Sequence, residues 1–166
     1  MFQALACLSG LLLMVTVSKA QGTVLITEFM ANNGGSSVDE DGSSSDWIEI
    51  FNAGTTPVNL LGWRLTDTPS LPDQWVFPAT NLPPSRYLIV WASNKNRKIP
   101  GKPLHSNFNL SKGGEYLALS RPDAVIVSEF VFGAQEPDVS FGLSADFAGG
   151  SILVATNAAL RALVPT

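Results

Sequence analysis

Apolar and polar positions alternate with a period of two along Asp46-Trp47-Ile48-Glu49-Ile50-Phe51-Asn52, the spacing of a β-strand with one face toward water. Turn chemistry follows in Asn52–Pro57, and β-rich runs resume at once in Val58–Leu60 and Trp63–Thr66. Further strands are expected at Thr23–Phe29, Gln74–Phe77, Arg86–Ala92, Phe108–Leu110, Glu115–Ser120 and Ala124–Phe132. The alternation in Asp46–Asn52 and Glu115–Ser120 predicts one solvated face for each. Arg86–Ala92 (RYLIVWA) is almost continuously apolar, which predicts the centre of the core. No segment before residue 145 spaces its apolar residues by three and four over a helical length. Short strands punctuated this closely predict an all-β, antiparallel β-sandwich rather than an α/β fold. Pro69, Pro72, Pro78, Pro83, Pro84, Pro100 and Pro103 all fall between the runs, where a missing N–H breaks no ladder.

The two ends of the chain read differently. Leu5–Val17 is an apolar run followed by Ser18-Lys19-Ala20, with small residues at both positions a signal peptidase reads. The run is shorter than the ~20 residues that span a bilayer. Residues 1–20 are therefore expected to be a secretory signal cleaved after Ala20, in preference to a buried N-terminal element or a lipid anchor at Cys7. One feature departs from the pattern: no Lys or Arg precedes the run. Residues 21–145 hold the expected sandwich. Beyond them, Ile152–Ala155 has the composition of one more strand and Asn157–Leu163 that of two helical turns. With no closing element after them, residues 146–166 are expected to be a linker or the start of a following segment in a longer exported protein.

Composition narrows the class. The 166 residues suit one ordinary domain. Of these, 45% are hydrophobic and only 14% charged, against roughly 25% charged in an average soluble protein. Cys7 is the only cysteine, so the chain after Ala20 has neither a disulfide nor thiol chemistry. Its stability must come from the core. Loss of Lys19 leaves nine basic against fourteen acidic residues, a net charge of −5, which argues against general nucleic-acid binding.

The motifs order themselves in a way that resembles a known family. "VLITEF", a polar acidic loop, "DWIEIFN", "TPVNLLGWRLTD", "WVFP", "RYLIVWA", "NFNLSKGGEYLALS" and "VIVSEF" run in the order of the lamin tail domain. The resemblance covers about Thr23 to Gly142 and is sharpest at Asp46–Asn52, Gly62–Asp67 and Ser111–Leu119. It implies an immunoglobulin-like antiparallel β-sandwich of the type found in nuclear lamins and in many bacterial secreted proteins. The bacterial members resemble non-catalytic modules of large exported proteins. The likeness carries a shape and a compartment, not a reaction.

Candidate chemistry is sparse. Asp39-Glu40-Asp41, with Asp46 and Glu49 nearby, is the densest carboxylate cluster, and Asp39, Asp41 and Asp46 are the candidate calcium ligands. The spacing is not that of an EF-hand, and a solvated loop is the preferred reading. Lys95, Arg97, Lys98 and Lys102 place four cations in eight residues, a candidate surface for polyanions or a solvated loop balancing the acidic one. Trp47, Trp63, Trp75 and Trp91 are expected in the core; Trp75, beside Gln74 and two prolines, is the one expected to be partly exposed and to offer a ligand platform. His105 is the only histidine, no Gly-x-Ser-x-Gly elbow accompanies it, and a polar loop is its expected place. Asn52 and Asn59 are expected to cap turns, with Gly62 and Gly113-Gly114 supplying positive φ. No phosphate loop, zinc spacing or dinucleotide fingerprint is present, so no cofactor and no catalytic residue is expected, with calcium the one open exception. The expected function is a non-enzymatic accessory module of a secreted or cell-surface protein, serving adhesion, spacing or targeting beside other domains. The alternative is a carbohydrate- or polyanion-binding domain attached to an extracellular enzyme.

Overall fold

The computed structural model describes residues 24–143. The expected signal and the readings for residues 146–166 lie outside the described residues. Eleven strands form: β1 (Val24–Met30), β2 (Asp46–Asn52), β3 (Val58–Asn59), β4 (Arg64–Thr66), β5 (Trp75–Val76), β6 (Asn81–Leu82), β7 (Tyr87–Ala92), β8 (Leu104–His105), β9 (Glu115–Ser120), β10 (Ile126–Phe132) and β11 (Phe141–Gly142). They make a five-stranded sheet in the order β11-β1-β2-β7-β8, a four-stranded sheet in the order β10-β9-β4-β5, and the small pair β3-β6. Every pairing is antiparallel except β7 with β8. Among the described residues there is no helix.

The core lies between the two larger sheets, as a two-layer fold requires. Ile26, Phe29, Ile48, Ile50 and Val90 point inward from one sheet, and Leu65, Trp75, Leu117 and Leu119 from the other. Phe29 sits at an aromatic junction, with the rings of Phe130, Phe132 and Phe141 at 5.4, 4.5 and 5.5 Å. Each fully buried side chain of this size contributes roughly 1.5–3 kcal/mol, and with no disulfide available this burial is the main source of stability. A bulge in β1 between Ile26 and Glu28 frees the Ile26 amide, which crosses the sandwich edge to donate to Ser128 Oγ at 3.2 Å.

Several expected runs form with shifted ends, and three differ in kind. Phe108–Leu110 is not a strand. Phe108 and Leu110 bury their side chains while Asn109 makes only an isolated bridge to Ser93. The ladder beside β7 is filled instead by Leu104–His105, because the chain after β7 doubles back: the His105 amide donates to Arg97 O and the Ser106 amide to Trp91 O. β7 is not the centre of the core. Val90 and Ala92 face inward, but Tyr87 is 58% and Ile89 36% exposed, since a two-layer sandwich covers one face of each sheet and the hydrophobicity of a run does not say which. β9, expected to show a solvated face, buries Ala118 and Ser120 as well as Leu117 and Leu119. It is an inner strand, and the small Ala118 lies between its cross-strand neighbours Glu129 and Thr66.

Turn chemistry agrees with expectation at Asn52, whose side-chain amide donates to Thr56 O and Leu82 O and whose Oδ1 accepts from Gly54 N. Asn59 Oδ1 likewise accepts from Leu61 N. Gly62 and Gly114 take positive φ, at 79° and 101°; Gly113 does not.

Candidate functional site

The acidic loop and the basic stretch, far apart in sequence, fold against each other. Gly42, with φ of 76°, turns the loop so that its amide donates to Asp39 O, and the Asp39 amide donates to Ser43 O. This directs the Asp39 side chain inward, where it has no exposed surface. Its Oδ1 accepts from the amides of Asp41 and Ser43, each at 3.0 Å, and its Oδ2 accepts from Ser45 Oγ and from Lys95 Nζ. Lys95 Nζ also reaches Asp41 Oδ2 at 2.8 Å, while Arg97 spans Glu40 Oε1 at 2.8 Å and Asp41 Oδ2 at 2.6 Å. The result is a charge clasp between the 39–43 loop and the segment after β7.

Burial works to raise the Asp39 carboxyl, but the Lys95 ammonium, the Ser45 hydroxyl and the two loop amides together hold it well below the usual carboxylate range. Glu40 is lowered in the same way against its own burial by a backbone amide, His105 and Arg97. Arg97 and then Lys95 bring Asp41 down to about 2.

His105 is fully buried rather than in an open polar loop. Its Nε2 faces both Glu40 oxygens at 2.9 Å and its Nδ1 lies 2.7 Å from Ser93 Oγ. An ionised carboxylate only accepts, so Nε2 carries the proton and donates to Glu40. A serine, a histidine and an acid in a row have the composition of a nucleophilic triad. The surroundings do not complete one: Ser93 Oγ accepts from the Lys95 amide, while the Asn94 and Asn96 amides already donate to Phe108 O and Ser106 O. The amides of Asn94, Lys95 and Asn96 are thus engaged rather than presented to an oxyanion. The row instead pins the clasp to β8.

The residues singled out in the sequence are thereby redistributed. Lys95 and Arg97 face carboxylates of their own chain, not a free surface. Lys98 places Nζ 5.4 Å from the centre of the Trp75 ring, and Lys102 is exposed with no ion-pair partner among the described residues. Trp75 is not a platform: it has no exposed surface, because β5 pairs with β4 and the ring packs edge-on against Phe77 at 4.6 Å. Asp39 and Asp41 face cations while Asp46 accepts from the Asn33 amide at 3.0 Å, so the three do not converge on one oxygen cage. Among the described residues no group of three acidic, histidine or cysteine side chains has metal-binding geometry.

A second polar feature went unrecognised in the sequence. Glu49, near the acidic cluster in sequence, is not part of it in space. It lies mid-strand on the outer face of the five-stranded sheet, directly opposite Glu28. Thr27 Oγ1 donates to Glu49 at 2.6 Å and Ser140 Oγ donates to Glu28. Burial pushes both carboxyls up, and the neighbouring Glu49 charge adds to the rise at Glu28. Beside them lies an apolar row, Leu25–Phe51–Tyr87, in which the Phe51 and Tyr87 rings stack at 4.5 Å. The bulge that brings Glu28 opposite Glu49 leaves no periodic signal.

Against known proteins, a family model described as Lamin Tail Domain matches residues 17–134. No curated protein matches the chain.

Two outcomes follow from these geometries. Lys95→Met removes the cation from a buried carboxylate and is expected to destabilise the fold by about 1.5–3 kcal/mol, the range for a hydrogen bond to a charged group, as measured by urea unfolding. The pH dependence has two opposite parts. Asp39, Glu40 and Asp41 are lowered on folding, so their stabilisation is complete above their unfolded values near ~4 and is lost as pH falls through the folded ones. Glu28, Glu49, Asp46 and Glu115 are raised, chiefly by burial, so they oppose folding above their folded values and acidification relieves them. The melting temperature should therefore rise as pH falls from neutral toward the unfolded carboxylate range near ~4 and decline below it; a steady decline from pH 7 downward would contradict the assignment.

Proposed function

Because the chain belongs to the lamin tail domain family, we propose that it serves as a non-catalytic interaction module of a larger, exported bacterial protein, used for adhesion, spacing or targeting. The family is one of immunoglobulin-like, non-enzymatic domains. The observation that carries the reading is the fate of the polar groups. Those with catalytic composition, Ser93, His105 and Glu40, lie in a row whose histidine has no exposed surface and whose acid is shared with Arg97 of the clasp, while the outer sheet face around Tyr87 and Ile89 stays open.

Export is supported by the apolar run and small residues before Gln21. Expression of the chain with its own N-terminus in a secreting bacterium is expected to yield extracellular protein beginning at Gln21 by N-terminal sequencing. Cytoplasmic protein retaining residues 1–20 would overturn export.

The runner-up, binding of a glycan or polyanion beside an extracellular enzyme, retains one support. Tyr87, 58% exposed and stacked on Phe51, offers a flat ring in place of Trp75. The polyanion form is weakened because Lys95 and Arg97 already face Asp39, Glu40 and Asp41, and calcium at the same loop would have to displace both cations. The chain is accordingly expected to pass through a heparin column at physiological salt; retention abolished by replacing Lys95, Arg97, Lys98 and Lys102 with Ala would favour the runner-up.

A further inference from the structure

The outer face of the five-stranded sheet is divided in two. At one end the clasp closes over it, with Glu40 on His105 and Trp47 nearly buried beside Trp91. At the other end the face is open. There Glu28 and Glu49 stand opposite each other with no cation paired to either among the described residues. Like charges placed directly across a strand pair destabilise it. Next to them Ile89, opposite Glu49, and Tyr87 expose apolar surface. Two uncompensated carboxylates beside aromatic and aliphatic side chains call for an occupant that brings a cation together with an apolar group.

The same chain presents such a segment. In Lys98-Ile99-Pro100-Gly101-Lys102, Ile99 is 63% exposed at a turn where Gly101 takes φ of 75°, and Lys102 is exposed without an acidic partner among the described residues. This loop cannot fold back onto the open face of its own molecule. It follows the far end of β7 from Tyr87, and Lys95 and Arg97 tie its root to the clasp. Charge complementarity therefore selects another molecule.

We propose that the open face formed by Glu28, Glu49, Tyr87 and Ile89 docks the Lys98–Lys102 loop of a second copy of this chain. Ile99 packs on Tyr87 and Ile89, and Lys102 lies over the paired carboxylates. The two patches differ, so the contact is heterologous and copies associate head to tail into rings or open chains. It rests on the reading of the chain as an interaction module and names that module's partner. The patches are small, so association is weak and weakens further with salt.

Sedimentation velocity of the chain over a concentration series tests this. The mean mass is expected to rise above that of a monomer as concentration increases at low salt, and the rise to shrink at physiological salt. Glu49→Lys and Lys102→Glu should each weaken association by about tenfold or more. An equimolar mixture of the two variants should recover association as far as a heterodimer, because the intact loop of one meets the intact face of the other. Lys102 lies in an exposed loop, so its variant tests the contact even if Glu49→Lys fails to fold. A monomer at every concentration, or association that neither variant changes, overturns the proposal. A monomer that still captures a synthetic Arg-Lys-Ile-Pro-Gly-Lys-Pro peptide also overturns it, and assigns the face to a cationic segment of another protein. In either monomeric outcome the interaction-module reading stands and is judged by the export and heparin experiments.

Discussion

A carboxylate sealed from water is tolerable only beside a cation and a set of donors, and Asp39 is such a carboxylate. Its ion pair with Lys95 joins two loops that the chain separates by 56 positions. Much of the arrangement at that end of the molecule follows from it. With Lys95 drawn inward, the next cation, Arg97, falls between Glu40 and Asp41, and Glu40 reaches His105 beside β8. The short parallel pairing of β7 with β8 is held from outside by this set of charges as much as by its own two register pairs. Four of the five charges are only partly desolvated, so salt screens them more than it screens Asp39.

The clasp also decides which part of the outer sheet face can meet another molecule. A two-layer sandwich leaves the outer face of each sheet without a partner layer. Here a loop takes that role for one end only. Trp47 and Met30, which alternation places on the outer face, are nearly buried, whereas Tyr87 on the same face is more than half exposed. The difference arises both from what covers them and from their place in the sheet, since Trp47 and Met30 lie on inner strands while β8 pairs only with Val90 and Trp91 and leaves Tyr87 at an edge.

That distinction sets the limit on what could be read from the sequence. The bounds of Asp46–Asn52 and Glu115–Ser120 were legible to the residue, but the solvated face that alternation predicts for the second is absent, because four consecutive residues of that inner strand are buried. Three two-residue strands, Asn81–Leu82, Leu104–His105 and Phe141–Gly142, were not legible. Two residues have no period, and their pairing is dictated by the path of the loops between them. The fold class was legible because the order of motifs over about 120 residues carries it. The clasp was visible only as its two halves, an acidic and a basic loop, since charge composition does not say which loops meet. Trp75 was misplaced for a related reason: flanking prolines mark where a strand ends, not which side of it faces water.

The two acidic features of this chain obey opposite rules, and the contrast bears on which of them acts outside the molecule. In the clasp every level agrees: Gly42 makes the turn, the amides point at Asp39, and the cations answer the carboxylates. The carboxyls are lowered, so they favour the fold at neutral pH. At Glu28 and Glu49 the levels conflict. A β-bulge brings like charges face to face on a half-buried surface, and both carboxyls are raised, which means that the folded state bears their cost at neutral pH. Groups arranged in favour of stability are accounted for by stability. Groups held against it need another reason, and local conflicts of this kind concentrate where a protein meets something else. A cation delivered from outside would turn the Glu28–Glu49 pair from a cost into an attraction, which no rearrangement of the clasp could do.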